Sequence, residues 1–165
     1  MLSRTIAVVL HPGFQLLDAA GPASAFEIAS RFRPGAYALS VLAPRAGLVE
    51  GQVESSCGFH LAAGRLRRGV FDTILVSGGE IIRPKAAAEE IVAWLKRVAP
   101  RRIASVCSGA YLLAQAGLLD GRQATTHWES TDDFRRRYPR VTVDTERIFI
   151  RDGDVWTSAG IFCRD

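Results

Sequence analysis

Ile103-Ala104-Ser105-Val106-Cys107-Ser108-Gly109 is the stretch on which the fold turns. An apolar run with β-branched residues that meets Cys-Ser-Gly and then continues without a breaker reads as a strand over Arg102–Val106 passing at once into a helix over Ser108–Ala116. Such an elbow strains the residue at the bend and projects its side chain at the C-terminal edge of a sheet. Ser105 and Gly109, two residues to either side, are small enough for strand and helix to approach. Cys107 is therefore the candidate functional centre. The helix N-terminus, with its partial positive charge and free N–H groups, is expected to lower the thiol pKa and favour the thiolate. The competing reading is an inert, buried cysteine.

Working outward, Thr5–Leu10 predicts a buried first strand ended by His11-Pro12-Gly13. Ala23–Phe32 predicts a helix that begins near Pro22, carries Ala25, Phe26, Ile28 and Ala29 at helical spacing, and stops at Arg33-Pro34-Gly35. Tyr37–Ala43 is the second strand, and short alternating pieces around Gln52-Val53 and Phe59–Leu61 predict a small hairpin. Thr73–Val76 reads as a buried strand running into Ser77-Gly78-Gly79, and Ala86–Val98 as a helix whose apolar face is Ile91, Val92, Trp94 and Leu95. The last third predicts a short strand near Ala124, a helix around Thr131–Tyr138, and strands at Val141–Val143, Arg147–Arg151 and Val155–Thr157. Asp152-Gly153 is the hairpin turn between the last two. Strands alternating with helices predict an α/β fold, a mostly parallel doubly wound sheet sandwiched by helices, in one domain over residues 1–165.

The 165 residues are 48% hydrophobic, enough for a core, yet no apolar run approaches the roughly 20 residues of a membrane helix. No leader with a cleavage site precedes the first strand, so a cytoplasmic protein is expected. Cys57, Cys107 and Cys163 are an odd set without a CxxC pair or a histidine at zinc-finger spacing. Neither a disulfide framework, a metal site nor a cofactor is suggested. The net charge of +4 comes from arginine clusters at Arg65/Arg67/Arg68, at Arg101/Arg102 and at Arg135–Arg137 with Arg140. Such runs are more often solvated faces than nucleic-acid footprints.

Three further positions belong to the same sheet edge. Asp18, an acid within Gln15–Pro22, either caps the helix beginning near Pro22 or manages protons beside the thiol, with a pKa raised by partial burial. Gly79 follows the Thr73–Val76 strand, where backbone N–H groups can approach a developing oxyanion. His127, in Ala124-Thr125-Thr126-His127-Trp128, reads as a base or ligand contact, or as a packed histidine.

These motifs, together with Ala116-Gly117-Leu118-Leu119-Asp120-Gly121 and Thr157-Ser158-Ala159-Gly160, resemble the ThiJ/PfpI superfamily, whose fold is flavodoxin-like and class I glutamine amidotransferase-like. Within it the sequence is most similar to the N-terminal sensor domains of AraC/XylS-type transcriptional regulators. The resemblance implies a homodimer that binds a small-molecule effector in a cleft around Cys107, Asp18 and Gly79, with Ser108 and His127 as further ligand contacts. It implies DNA contact only through a helix-turn-helix domain that this chain does not contain. Members continue past Thr-Ser-Ala-Gly into a further helix. The chain is thus expected to lack that final helix and to leave apolar sheet surface for a partner to cover. Ser108 stands where the protease and amidotransferase branches carry histidine, which lowers the hydrolase reading. The alternative is an enzyme similar to isocyanide hydratase, in which Cys107 attacks an electrophilic carbon and Asp18 moves protons. A third reading is a redox-sensitive or structural dimer.

Overall fold

β1 (Arg4–Val9) forms the centre of the molecule because Ile6, Ala7, Val8 and Val9 are buried on both faces, each strand side chain packing against a helical or hairpin layer. The computed structural model describes residues 3–80 and 85–160 of the chain. After β1 come α1 (Leu16–Phe32), β2 (Tyr37–Ala43), the hairpin β3 (Gln52–Glu54) and β4 (His60–Ala62), β5 (Gly64–Arg65), β6 (Thr73–Val76) and α2 (Lys85–Leu95). Then follow β7 (Arg102–Val106), α3 (Ala110–Gln115), β8 (Gln123–Ala124), α4 (Thr131–Arg137), β9 (Thr142–Val143), β10 (Phe149–Asp152) and β11 (Val155–Ser158).

The main sheet has seven strands in the order β10-β11-β7-β6-β1-β2-β5, all parallel except β10, which returns antiparallel along β11. This is the mostly parallel, flavodoxin-like α/β sheet with helices on its faces. One face carries α2, α3 and α4, joined to it by Ala7, Val9, Ile74, Val76, Ile103 and Val155 in one continuous core. The other face carries α1 and the β3–β4 hairpin over Val8 and Leu75. Towards β10 no helix among the described residues covers that second face. Phe149 stacks on Trp156 at 6.5 Å and remains 56% exposed. No helix among the described residues is long and apolar enough to cross a membrane. Ile161–Asp165, with Cys163, lie outside the described residues.

α2 stops at Leu95, three residues before the expected Val98, and β5 has no counterpart in the sequence reading; three further departures have a physical reason. α1 begins at Leu16, not near Pro22, and contains Pro22 in its second turn. Tertiary anchoring overrides the proline: Gln15 N–H donates to the Gly78 carbonyl at 2.9 Å, and Ala19 is buried against the hairpin layer. The turn after β10 is Gly153-Asp154, one residue later than expected, with Gly153 at φ +63°. β10 itself starts at Phe149 and not Arg147. The Asp144 carboxylate accepts the N–H groups of Glu146 and Arg147 at 2.9 and 3.3 Å, a local side-chain turn that competes with extended backbone.

Candidate functional site

The elbow is a single 3₁₀ turn, Cys107–Gly109, between β7 and α3. Cys107 sits at φ +54°, a left-handed conformation that costs a residue with a side chain roughly 1–2 kcal/mol. Its surroundings hold it there. The Thr126 hydroxyl donates to the Cys107 carbonyl at 3.0 Å, and the preceding Thr125 N–H donates to the Thr157 hydroxyl on β11 at 2.9 Å. Gly78 and Gly160 close on the cysteine from two sides. A Cβ on Gly78 would lie 2.6 Å from Cys107 Cβ and 2.4 Å from Asp18 Oδ2, and one on Gly160 would lie 2.7 Å from Cys107 Cβ. No side chain fits at either position without moving the elbow.

Asp18 reaches the same point from the first turn of α1, so it is a helical residue and not the cap of a helix starting near Pro22. It is only 2% exposed, and neither carboxylate oxygen has a hydrogen-bond partner of ordinary geometry. Burial raises its pKa from 3.8 to about 6, and the nearby Gly78 N–H and Cys107 thiol only partly offset that rise. Burial also pushes the Cys107 thiol up, from 9.0 to about 11, and the Asp18 charge adds to the rise. The expected low-pKa thiolate is therefore overturned: desolvation and a facing carboxylate outweigh the amides of one short turn.

The Gly79 turn is likewise not an open oxyanion site. Its N–H donates to Ser108 Oγ at 2.9 Å, while the Ser108 hydroxyl donates back to the Gly79 carbonyl at 2.8 Å. The Gly78 N–H faces Asp18. The amides that the sequence suggested for a developing oxyanion are already engaged. What remains is a cavity of about 270 Å³ lined by Asp18, Gly79, Cys107, Ser108 and His127, the positions singled out from the sequence, together with Gln15, Ser56, Glu80 and Ser130. His127 stacks on Trp128 at 5.8 Å, and its Nδ1 lies 3.8 Å from the Glu129 carboxylate. A wider groove of about 810 Å³ adjoins the cavity at Gly79, Glu80, Ser108 and Ser130 and runs over Tyr111 towards Asp133 and Arg137. The single Tyr111 hydroxyl proton is shared between the Ser130 carbonyl and the Asp133 carboxylate, each 3.0 Å from its oxygen.

Three of the four lining residues that sequence reasoning missed, Gln15, Ser56 and Glu80, come from loops brought together by one small ladder, and Ser130 comes from the 3₁₀ turn Trp128–Ser130. Gly13 N–H donates to Glu54 O, Ser56 N–H to Phe14 O, and Glu80 N–H to Gly13 O, so the 13–15 segment is clasped between the hairpin and the Gly78-Gly79 turn. His11, read only as part of a loop, is buried below this ladder. Its Nδ1 lies 3.1 Å from the Pro12 carbonyl, and burial lowers its pKa from 6.5, which favours neutral imidazole. The arrangement can take a small polar ligand between an under-satisfied carboxylate, a protonated thiol and a ring of hydroxyl and imidazole groups.

Residues 4–162 match the model of the DJ-1/PfpI family. Among curated proteins, an uncharacterized protein in the cpoL 5' region of Streptomyces lividans is 40% identical over 138 residues, covering 81% of this chain and 94% of that protein. The HTH-type transcriptional regulator CdhR of Pseudomonas aeruginosa is 33% identical over 161 residues, covering 96% of this chain. The chain spans 47% of the length of that regulator. Among solved structures, an AraC family transcriptional regulator from Pseudomonas putida superposes with a TM-score of 0.81 at 21% identity, over 95% of this chain and 84% of that one, a likeness of fold. The match over almost the whole chain, on the sheet and elbow described above, establishes that the chain belongs to the DJ-1/PfpI family.

Proposed function

We propose that the domain is the small-molecule-sensing module of an AraC-type transcriptional regulator, with the Cys107 cavity as its effector site. The observation that carries this reading is the similarity over 96% of the chain to the helix-turn-helix regulator CdhR, beside an elbow whose cysteine is partly buried against Asp18. Such a centre holds a ligand better than it attacks one. The bond between Ser108 and the Gly79 N–H supports the same reading. In this reading the domain works as a cytoplasmic homodimer. Asp18 and His127 meet the polar groups of the effector, while Ser108 and Gly79 set the wall beside it.

The test is a thermal-shift screen of amines, amino-acid derivatives, amides, isocyanides and aldehydes on wild type, Cys107→Ala and Asp18→Asn, with turnover assayed for each hit. A ligand present at about 100 times its Kd stabilises the fold by about 2.7 kcal/mol. Stabilisation without turnover, diminished by Asp18→Asn, is expected. Product formation that disappears in Cys107→Ala would overturn the sensor and make the domain an enzyme acting on an electrophile.

A further inference from the structure

The arginine clusters meet different fates in the fold. Arg101 and Arg102 both close on Asp72, each at 2.9 Å. On α4, Arg135 pairs with Asp132, and Arg136 and Arg137 pair with Asp133, while Arg140 reaches Asp120. Those charges are neutralised where they stand. Arg65, Arg67 and Arg68 are different: all three are exposed, and none forms an ion pair with a carboxylate among the described residues.

Three more exposed cations join them. Arg65 pairs in register with Ala43, two residues before Arg45, whose backbone N–H donates to Glu90 on α2 at 2.9 Å. The Arg67 carbonyl accepts the Trp94 indole N–H at 2.9 Å, and Lys96 and Arg97 follow within one turn of that tryptophan. The six cations thus flank α2 from Glu90 to Arg97, about 10 Å of helix axis. Glu90, the acid in that stretch, has its carboxylate occupied by the N–H groups of Arg45 and Ala46. The Arg67 guanidinium lies over the Phe71 ring at 5.7 Å, and Arg97 Nε is held by the Ala93 carbonyl at 2.9 Å, so both heads are supported without being neutralised.

We propose that this flank of α2 is a contact surface for the sugar-phosphate backbone of duplex DNA, engaged without reading sequence. A cluster of six cations against the one carboxylate of Glu90 is relieved by a linear polyanion, and guanidinium forks match phosphate oxygens. Among the described residues, the large exposed hydrophobic residues on the segments that carry Arg45 and Arg65–Arg68 are the aliphatic Val49 and Val70, so the surface lacks the aromatic anchor around which protein interfaces are built. The proposal goes beyond the effector reading and does not depend on it, since the surface shares no residue with the Cys107 cavity.

Fluorescence anisotropy of the chain with a labelled random-sequence duplex, titrated between about 50 and 200 mM salt, tests it. About five phosphate contacts give a slope of log K against log salt near −4.5 and an affinity loss of about 500-fold across that range. Arg65→Ala/Arg67→Ala/Arg68→Ala should flatten the slope by about 3, and Arg136→Ala/Arg140→Ala should leave it unchanged. Lys96→Gln/Arg97→Gln reads the same surface, with a flattening of about 2, should the loop variant fail to fold. An unaltered slope in both surface variants, an equal loss in the Arg136/Arg140 control, or competition by polyglutamate as tight as by duplex would each overturn the proposal. Effector-induced thermal shifts, read on the same variants, should persist, so failure of DNA contact and failure of effector binding are separated.

Discussion

Replacing Asp18 by asparagine should make the protein more stable, and by an amount that depends on pH. Asn keeps the shape of the side chain and removes its charge, so the variant no longer has to ionise a carboxyl group inside the fold. At about 1.4 kcal/mol per tenfold change in proton affinity, the rise from 3.8 to about 6 amounts to about 3 kcal/mol. The folded-state pKa is the higher one, so the native state binds the proton more tightly than the unfolded chain. The contribution of Asp18 to wild-type stability is therefore fully present below about pH 4 and is lost progressively as pH rises to about 6. Urea denaturation of both proteins from pH 4 to pH 8 should show the stability difference growing in favour of Asp18→Asn by about 3 kcal/mol and levelling off by about pH 7. His11 acts in the opposite sense, because its buried neutral ring must charge as pH falls below its ordinary 6.5, but it is present in both proteins and cancels in the difference. A difference that stays flat with pH, or one that grows towards wild type, would refute the account of Asp18 as a desolvated, under-satisfied acid.

Other consequences are as direct. At pH 8 a thiol with a pKa of about 11 holds about 100-fold less thiolate than one at the ordinary 9.0. Iodoacetamide labelling of Cys107, followed by peptide mass spectrometry, should be slower than that of a cysteine peptide by about that factor and faster in Asp18→Asn; labelling at the peptide rate would restore the thiolate elbow. Gly78→Ala places a Cβ against Asp18, Cys107 and the Val106 carbonyl, and should lower stability by about 2–3 kcal/mol in urea; a loss below about 0.5 kcal/mol would mean that the turn is not clamped on the elbow. Phe134→Ala removes a fully buried ring packed edge-on against Tyr111 at 4.8 Å, and its loss should be about 3–5 kcal/mol; a change within about 1 kcal/mol would show that α4 is not part of the main core.

The strands and the elbow were legible because their signal is local. β6 and β7 coincide with the runs Thr73–Val76 and Arg102–Val106, and Gly109 is as tightly placed as the elbow reading requires, a Cβ there lying 2.6 Å from the Val76 carbonyl. Asp18, Gly79, Ser108 and His127 were found because each stands beside a strand end or a marked motif. Ser56 was not, because its place in the cavity depends on the hairpin folding back onto Phe14, a contact between residues 42 apart in sequence. The start of α1 was misplaced because Pro22 is the strongest local mark, whereas the helix is fixed by Gln15 and Ala19 through contacts that no local pattern carries. The thiol pKa was misjudged for a related reason. A helix N-terminus is visible in sequence, but the burial of Cys107 and the distance-dependent charge of Asp18 are properties of the assembled fold. The arginine clusters show the same divide: the Asp132/Asp133 pairing on α4 follows helical spacing, while Asp72 meets Arg101 and Arg102 only across the sheet.

The two-way hydrogen bond between Ser108 and Gly79 bears on how a domain of this kind can diversify. Gln15, Ser56, Glu80 and Ser130 line the cavity from four separate segments, and none of them belongs to either hydrophobic core. Substitutions at such positions usually change stability by no more than about 0.5 kcal/mol. Effector preference can therefore drift one residue at a time with the scaffold intact. Turnover asks for more: the Gly79 amide has to be released from Ser108, and the Cys107 proton has to become easier to remove, which involves Asp18. Turnover needs both changes at once, one at Ser108 and one at Asp18. Recruitment to a new signal is thus a sequence of small independent steps, whereas recruitment to a new reaction is a concerted one.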